Sequence, residues 1–275
     1  MALTPKQTAQ LLERLEHTPK KKLGQNFLID GNIVRKSLSL AAVVPGDVVL
    51  EVGPGLGTLT GALLEAGAQV HAVEKDRTLA AHLREHLTQP AFSLLEGDAV
   101  ECPLADLPDN FEGTFKVVAN LPYAISTPWL DGVLERVLPE QMVLMLQKEA
   151  ALRYTSQPGE KHWGAIAIFL QAAYEQSAFE KVSRKSFYPV PGVDSVLLGL
   201  KRKENPFVFK GQTRVCIRDI FTQRRKQVGS LAKRFEQHAP LAAWQSCLEE
   251  EGYALTQRPE ELPLSCWQRL DSLFA

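Results

Sequence analysis

Four consecutive residues, Asn120-Leu121-Pro122-Tyr123, are the strongest chemical signal in this chain of 275 residues. They follow the β-rich run Lys116–Ala119, so they stand where a strand gives way to a turn. An aromatic amino nitrogen is a poor nucleophile, because its lone pair is delocalised into the ring. The side-chain carbonyl of Asn120 and the backbone carbonyl of Leu121 can each accept one N–H from such a nitrogen, drawing the lone pair toward an electrophile and stabilising the positive charge it gains. Pro122 stiffens the turn and offers no competing donor. Tyr123 can stack on a base, an interaction worth about 1–3 kcal/mol that offsets part of the cost of unstacking a nucleotide. Such a transfer needs no strong general base. The alternative for these residues is an ordinary β-to-α turn, in which Asn and Pro are common.

A cofactor site is expected nearby. Val48–Val52 runs into Gly53-Pro54-Gly55-Leu56-Gly57, a strand followed by a glycine-rich turn and a helix start, where backbone amides can approach a ligand. Glu74 ends the next strand, Gln69–Glu74, and stands 21 positions after Gly53. A carboxylate there can accept both ribose hydroxyls. Asp98 follows a third strand, Phe92–Glu96, and can accept a hydrogen bond from an adenine amino group, or it can simply cap a helix. These features suit NAD as well as a methyl donor, so a dehydrogenase remains open at this point.

The elements that must position these residues alternate regularly. The β-rich runs named above, with Met142–Gln147, are separated by longer segments, several helical in pattern, which predicts a mainly parallel sheet covered by helices. Ala178–Val182 and Val193–Leu200, around the Pro-rich turn Tyr188–Gly192, are expected to close the sheet edge with antiparallel strands. Beyond Asn205 short helices are expected at Val215–Arg225, Gln227–Gln237 and Leu241–Glu250. The domain reading is an extension at 1–22, with a helix-like pattern through Leu11, Leu12 and Leu15, a catalytic α/β domain at 23–204 and a helical domain at 205–275.

Composition narrows the class. Hydrophobic residues are 45% and charged residues 23%, ordinary globular values. No apolar stretch approaches the ~20 residues of a membrane span, and no signal-peptide pattern is present, so a cytoplasmic location is the expectation. Cys102, Cys216, Cys247 and Cys266 form no CxxC pair, and no metal site is expected. The net charge of −1 conceals a basic segment, Lys181–Phe235, with fourteen Lys/Arg against three Asp/Glu. That segregation suits a polyanionic partner such as a nucleic acid, with Arg224, Arg225 and Lys226 as candidate phosphate contacts; a solvated basic face is the plainer alternative.

With these residues in place, the chain resembles the ribosomal RNA adenine dimethyltransferase family, in its small-subunit (16S) branch. The resemblance runs from Lys22 onward and is carried by Leu23-Gly24-Gln25-Asn26-Phe27-Leu28, by Asn120 to Pro128 and by Phe187 to Ser195. It implies a Rossmann-like class I methyltransferase fold with a seven-stranded sheet and a small all-helical C-terminal domain. It implies S-adenosylmethionine as the cofactor, bound by Asn26, Leu28, Gly53, Gly55, Glu74, Asp98 and Asn120. It also implies that Phe187 forms the second wall around the target adenine, opposite Tyr123. The implied substrate is a pair of adjacent adenosines in a 3′-terminal hairpin loop of 16S rRNA, within an immature small subunit, acted on by a monomer. Phe221 to Lys226 and Arg258 to Leu262 resemble the small-subunit branch, against a large-subunit rRNA methyltransferase or a non-catalytic assembly factor.

Overall fold

The computed structural model describes residues 3–235, 237–238 and 240–274. The chain runs α1 (Pro5–Arg14), β1 (Phe27–Leu28), α2 (Gly31–Leu40), β2 (Val48–Val52), α3 (Thr58–Glu65), β3 (Gln69–Glu74), α4 (Arg77–His86), β4 (Phe92–Glu96), β5 (Lys116–Asn120), α5 (Ser126–Val133) and β6 (Gln141–Gln147). It continues through α6 (Lys148–Thr155), α7 (Ala165–Ala173), β7 (Tyr174–Val182), β8 (Phe187–Tyr188), β9 (Ser195–Arg202), α8 (Gly211–Thr222), α9 (Pro240–Glu250) and α10 (Leu264–Ser272).

Seven strands form one sheet in the order β4-β3-β2-β5-β6-β9-β7. Strands β4 through β6 in that order are parallel, and β9 lies antiparallel to β6. The reversal of strand order falls between β2 and β5, so the carboxyl ends of those two strands open onto a shared crevice where doubly wound sheets bind ligands. The apolar core holds Val49, Val70, Val118, Val143 and Leu197 from the sheet, packed with Leu59 and Leu63 of α3. The central strands read as largely apolar runs because helices cover the sheet.

The amino-terminal segment is not a loose extension. Thr4 and Gln7 form a reciprocal capping box around Pro5, which fixes where α1 starts. Leu11 and Leu12 are buried against Phe27, Leu56 and Leu79, which ties α1 to the glycine turn and to α4. Burial of a leucine side chain stabilises by about 1.5–3 kcal/mol, enough for a short helix to hold its place.

Contacts divide the chain into two compact units. The first runs through Ala151 and includes Glu175–Arg202; the second combines Leu152–Tyr174 with the chain from Lys203 onward. This division differs from the expected 1–22, 23–204 and 205–275 in joining the amino-terminal segment to the first unit, in starting the last stretch at Lys203 and, chiefly, in moving the internal segment Leu152–Tyr174 to the second unit. The physical reason is α7, whose residues from Ile166 to Leu170 are all buried and which contacts α8 and α10. In the second unit the helix expected over Gln227–Gln237 is replaced by a 3-10 turn at Val228–Ser230, and Glu236 lies outside the described residues. Val228 and Gly229 donate their amides to the carbonyls of Gln257 and Leu255, which docks this turn against a segment distant in sequence.

Candidate active site

The carboxyl ends of β2, β3 and β5, together with the segment from Lys22 to Leu28, line a cavity of about 160 Å³. Asn26, Leu28, Gly53, Gly55, Glu74, Asp98 and Asn120, the seven residues singled out for a cofactor, all line it. The glycines are required sterically. Gly53 has φ +66°, and a Cβ there would meet the Pro122 ring at 3.2 Å; Gly24 has φ +65°, and a Cβ there would stand 3.2 Å from the Tyr123 nitrogen. Three motifs far apart in sequence are thus packed in close contact.

Glu74 ends β3 buried, with Oε2 accepting from the Gly55 amide at 3.1 Å and Oε1 from the Asp76 amide at 2.8 Å. Burial raises its pKa, an effect only partly offset by those amides. Asp76 in turn caps α4 and joins the amino-terminal segment to this corner: Lys20 Nζ donates to it at 2.8 Å and Gln25 Nε2 at 3.1 Å. Burial pushes the Asp76 carboxyl up, but Lys20, Gln25 and the nearby His17 outweigh that and hold it below the usual range. Asp98 accepts from the Val100 amide at 3.0 Å and from Lys75, and the Lys75 hydrogen bond holds its pKa down, so it is an ionised acceptor at neutral pH.

Asn120 ends β5, and its Nδ2 donates to the Asn26 carbonyl at 3.0 Å. With the amino group committed, the amide oxygen is the atom left to accept. The carbonyls of Pro122 and Tyr123 are engaged by the Ile125 amide and the Ser126 hydroxyl, whereas no donor among the described residues engages the carbonyl of Leu121. Pro122 lines the cavity, but Leu121 and Tyr123 do not. The Leu121 side chain is buried, and Tyr123, half-buried, turns its hydroxyl to Ser195.

Phe187 is 1% exposed and lies in the core with Val182 and Leu197, and like Tyr123 it is not among the residues that line the cavity. Antiparallel β1 and β8 pair Leu28 with Phe187 and Phe27 with Tyr188, and strand alternation sends the first pair into the main core. The second pair faces the α1 cluster. The Arg224 guanidinium is bound to Glu260 (Nε to Oε2, 2.6 Å) and to the Lys161 carbonyl at 2.6 Å. Arg225 and Lys226 are exposed.

Sequence reasoning missed Glu51. This residue of β2 is 2% exposed, lines the cavity, and has an Oε2 with no hydrogen-bond partner. Burial pushes its pKa from 4.5 to about 8; the Thr60 hydroxyl opposes this slightly, although it makes no hydrogen bond of normal geometry. The available signal was an acid inside the apolar run Val48–Val52, where an unpaired charge is expensive. Among the described residues no group of three or more His, Cys, Asp or Glu could hold a metal ion, and no helix is long and apolar enough to cross a membrane.

The strand order, the glycine turn after the first parallel strand and the acids after the next two define a Rossmann-like class I methyltransferase. The family model for ribosomal RNA adenine dimethylases matches residues 16–252, and the chain belongs to that family. It is 58% identical over 275 residues to a ribosomal RNA small subunit methyltransferase A from Opitutus terrae, covering 98% of each chain. Among solved structures it is similar to the 23S rRNA methyltransferase ErmE, with 27% identity, a TM-score of 0.64, and coverage of 90% of this chain and 99% of that one. It shares its fold with a dimethyladenosine transferase from Plasmodium falciparum, at 24% identity and a TM-score of 0.71, covering 89% and 95%.

Proposed function

We propose that this protein transfers methyl groups from S-adenosylmethionine to the N6 amino groups of two adjacent adenosines in a 3′-terminal hairpin loop of 16S rRNA, giving N6,N6-dimethyladenosine. The observation that carries this reading is the Asn120 amide, tied through Nδ2 to Asn26 and lining the same cavity as Glu74 and Asp98. The 58% identity to a small-subunit rRNA methyltransferase favours the small-subunit substrate over the large-subunit alternative.

The residues present fit the cofactor chemically. Glu74 would accept the ribose hydroxyls, Asp98 the adenine amino hydrogen, and the unpartnered buried carboxyl of Glu51 gives the floor of the cavity an acceptor for a cationic ammonium. Bound there, S-adenosylmethionine supplies a methyl group made electrophilic by its sulfonium. Asn120 Oδ1 and the Leu121 carbonyl then accept the two amino hydrogens of the target adenine and stabilise the charge that builds on nitrogen. After one transfer a single N–H remains, so one of these carbonyls loses its partner and the second transfer is geometrically harder. Tyr123 stacks on the extruded base, and Pro122 keeps the turn rigid.

In this reading the second unit grips RNA through Arg225 and Lys226, while Arg224 braces the turn at Glu260. The enzyme acts in the cytoplasm as a monomer on an immature small subunit. The test is mass spectrometry of rRNA from undermethylated small subunits after incubation with the protein and methyl donor. Dimethyladenosine at two adjacent positions is the expected product; unmodified rRNA, or methylation of large-subunit rRNA alone, overturns the assignment.

A further inference from the structure

Ser195 opens β9, a strand whose next residues, Val196, Leu197 and Leu198, are buried and apolar. Its own side chain is polar and 1% exposed, and a buried hydroxyl left without a partner is costly. Its partner is the phenol of Tyr123, with Tyr123 Oη 2.8 Å from Ser195 Oγ. The two residues are 72 positions apart, so the contact exists only because the fold brings the end of the catalytic turn against the start of β9.

The Ser195 end of this contact is rigid. Ser195 stands opposite Gln147 in a ladder of seven paired residues between β6 and β9. The preceding Asp194 is held twice, its carbonyl accepting from the Lys148 amide at 3.2 Å and its Oδ1 from the Arg184 amide at 3.2 Å. The other end of Tyr123 is also fixed, because its carbonyl accepts from the Ser126 hydroxyl and its amide nitrogen stands close to Gly24. The ring is therefore clamped at its backbone and at its hydroxyl. A stacking platform held in one orientation loses less freedom when a base arrives than one that must be ordered by that base.

We propose that Ser195 is a positioning residue for the reaction, fixing the ring of Tyr123 through its hydroxyl so that the target base meets a preset stacking face. This rests on the reading of Tyr123 as the stacking residue. It explains why a tyrosine can serve the turn better than a phenylalanine of equal stacking area: the hydroxyl anchors the ring. Burial raises the Tyr123 pKa, so the phenol is neutral and able to donate throughout the working range.

The experiment is a double-mutant cycle on methyl transfer to undermethylated small subunits, with Ser195→Ala, Tyr123→Phe and the pair, alongside Tyr123→Ala and calorimetry of S-adenosylhomocysteine. Each single change is expected to lower kcat/KM by about two- to ten-fold, the worth of one net hydrogen bond, while leaving product affinity unchanged. The pair should cost no more than either single change, since both delete the same bond. Multiplicative losses in the pair, or full activity of Ser195→Ala, overturn the proposal. If Ser195→Ala loses S-adenosylhomocysteine binding because the fold has suffered, Tyr123→Phe decides, and full activity in that variant overturns the proposal. Full activity of Tyr123→Ala would remove the stacking reading and this proposal together; a deep loss there with a silent Ser195→Ala removes only the anchor.

Discussion

Glu51→Gln tests the electrostatics of the cavity floor. The wild-type carboxyl has its pKa raised from 4.5 in the unfolded chain to about 8 in the fold, with burial as the dominant cause. Because the folded value is the higher one, folding favours the protonated form; its contribution to stability is full below pH 4.5 and is lost as pH rises through about 8. A shift of this size, at about 1.4 kcal/mol per pKa unit, corresponds to about 5 kcal/mol of stability removed across that window. Glutamine fills nearly the same space and does not titrate. The assay is urea unfolding of the free protein between pH 5 and 8 in both forms. The stability of Glu51→Gln relative to wild type should rise with pH by about 1.4 kcal/mol per unit. Glu74, also raised by burial, titrates in both proteins and largely cancels in the difference. Parallel stability curves would refute the argument, and with it the assignment of a neutral carboxyl to the floor of the site.

Four further outcomes are expected. Asn120→Ala should abolish methyl transfer with RNA retention largely intact, measured by single-turnover assay and filter binding; substantial residual transfer would remove Asn120 from its role. Replacing Arg225 and Lys226 by Ala should weaken RNA binding and reduce the slope of log affinity against log salt by roughly one to two units, whereas Arg224→Ala should lower the melting temperature of the protein, because it leaves Glu260 without its partner. Gly24→Ala should weaken S-adenosylhomocysteine binding at least ten-fold in calorimetry, since a side chain there needs a strained φ and presses on the Tyr123 backbone; unchanged affinity would show that the two motifs separate without cost.

The sheet and the cofactor corner were legible in the sequence for a physical reason. Short, largely apolar runs between turn signals suit the strands of a covered parallel sheet, and the residues at their carboxyl ends meet the ligand; Val48–Val52, Gln69–Glu74 and Phe92–Glu96 occur as strands with those bounds, the last as a half-buried edge strand. All seven cofactor candidates lie on one cavity because each follows such a strand or belongs to the Leu23–Leu28 motif. Tertiary structure decided the rest. Phe187 points into the core because its register with Leu28 is fixed across two strands distant in sequence. Arg224 is an internal brace because Glu260 is brought to it, and the chain after Gln227 takes a 3-10 turn at Val228–Ser230 whose amides reach carbonyls at Gln257 and Leu255 that no local pattern announces. Local pattern determines which residues can form a strand or a turn, since that depends on near neighbours alone; which way an aromatic faces, and which charge finds a partner, depends on atoms that only the folded chain brings within reach.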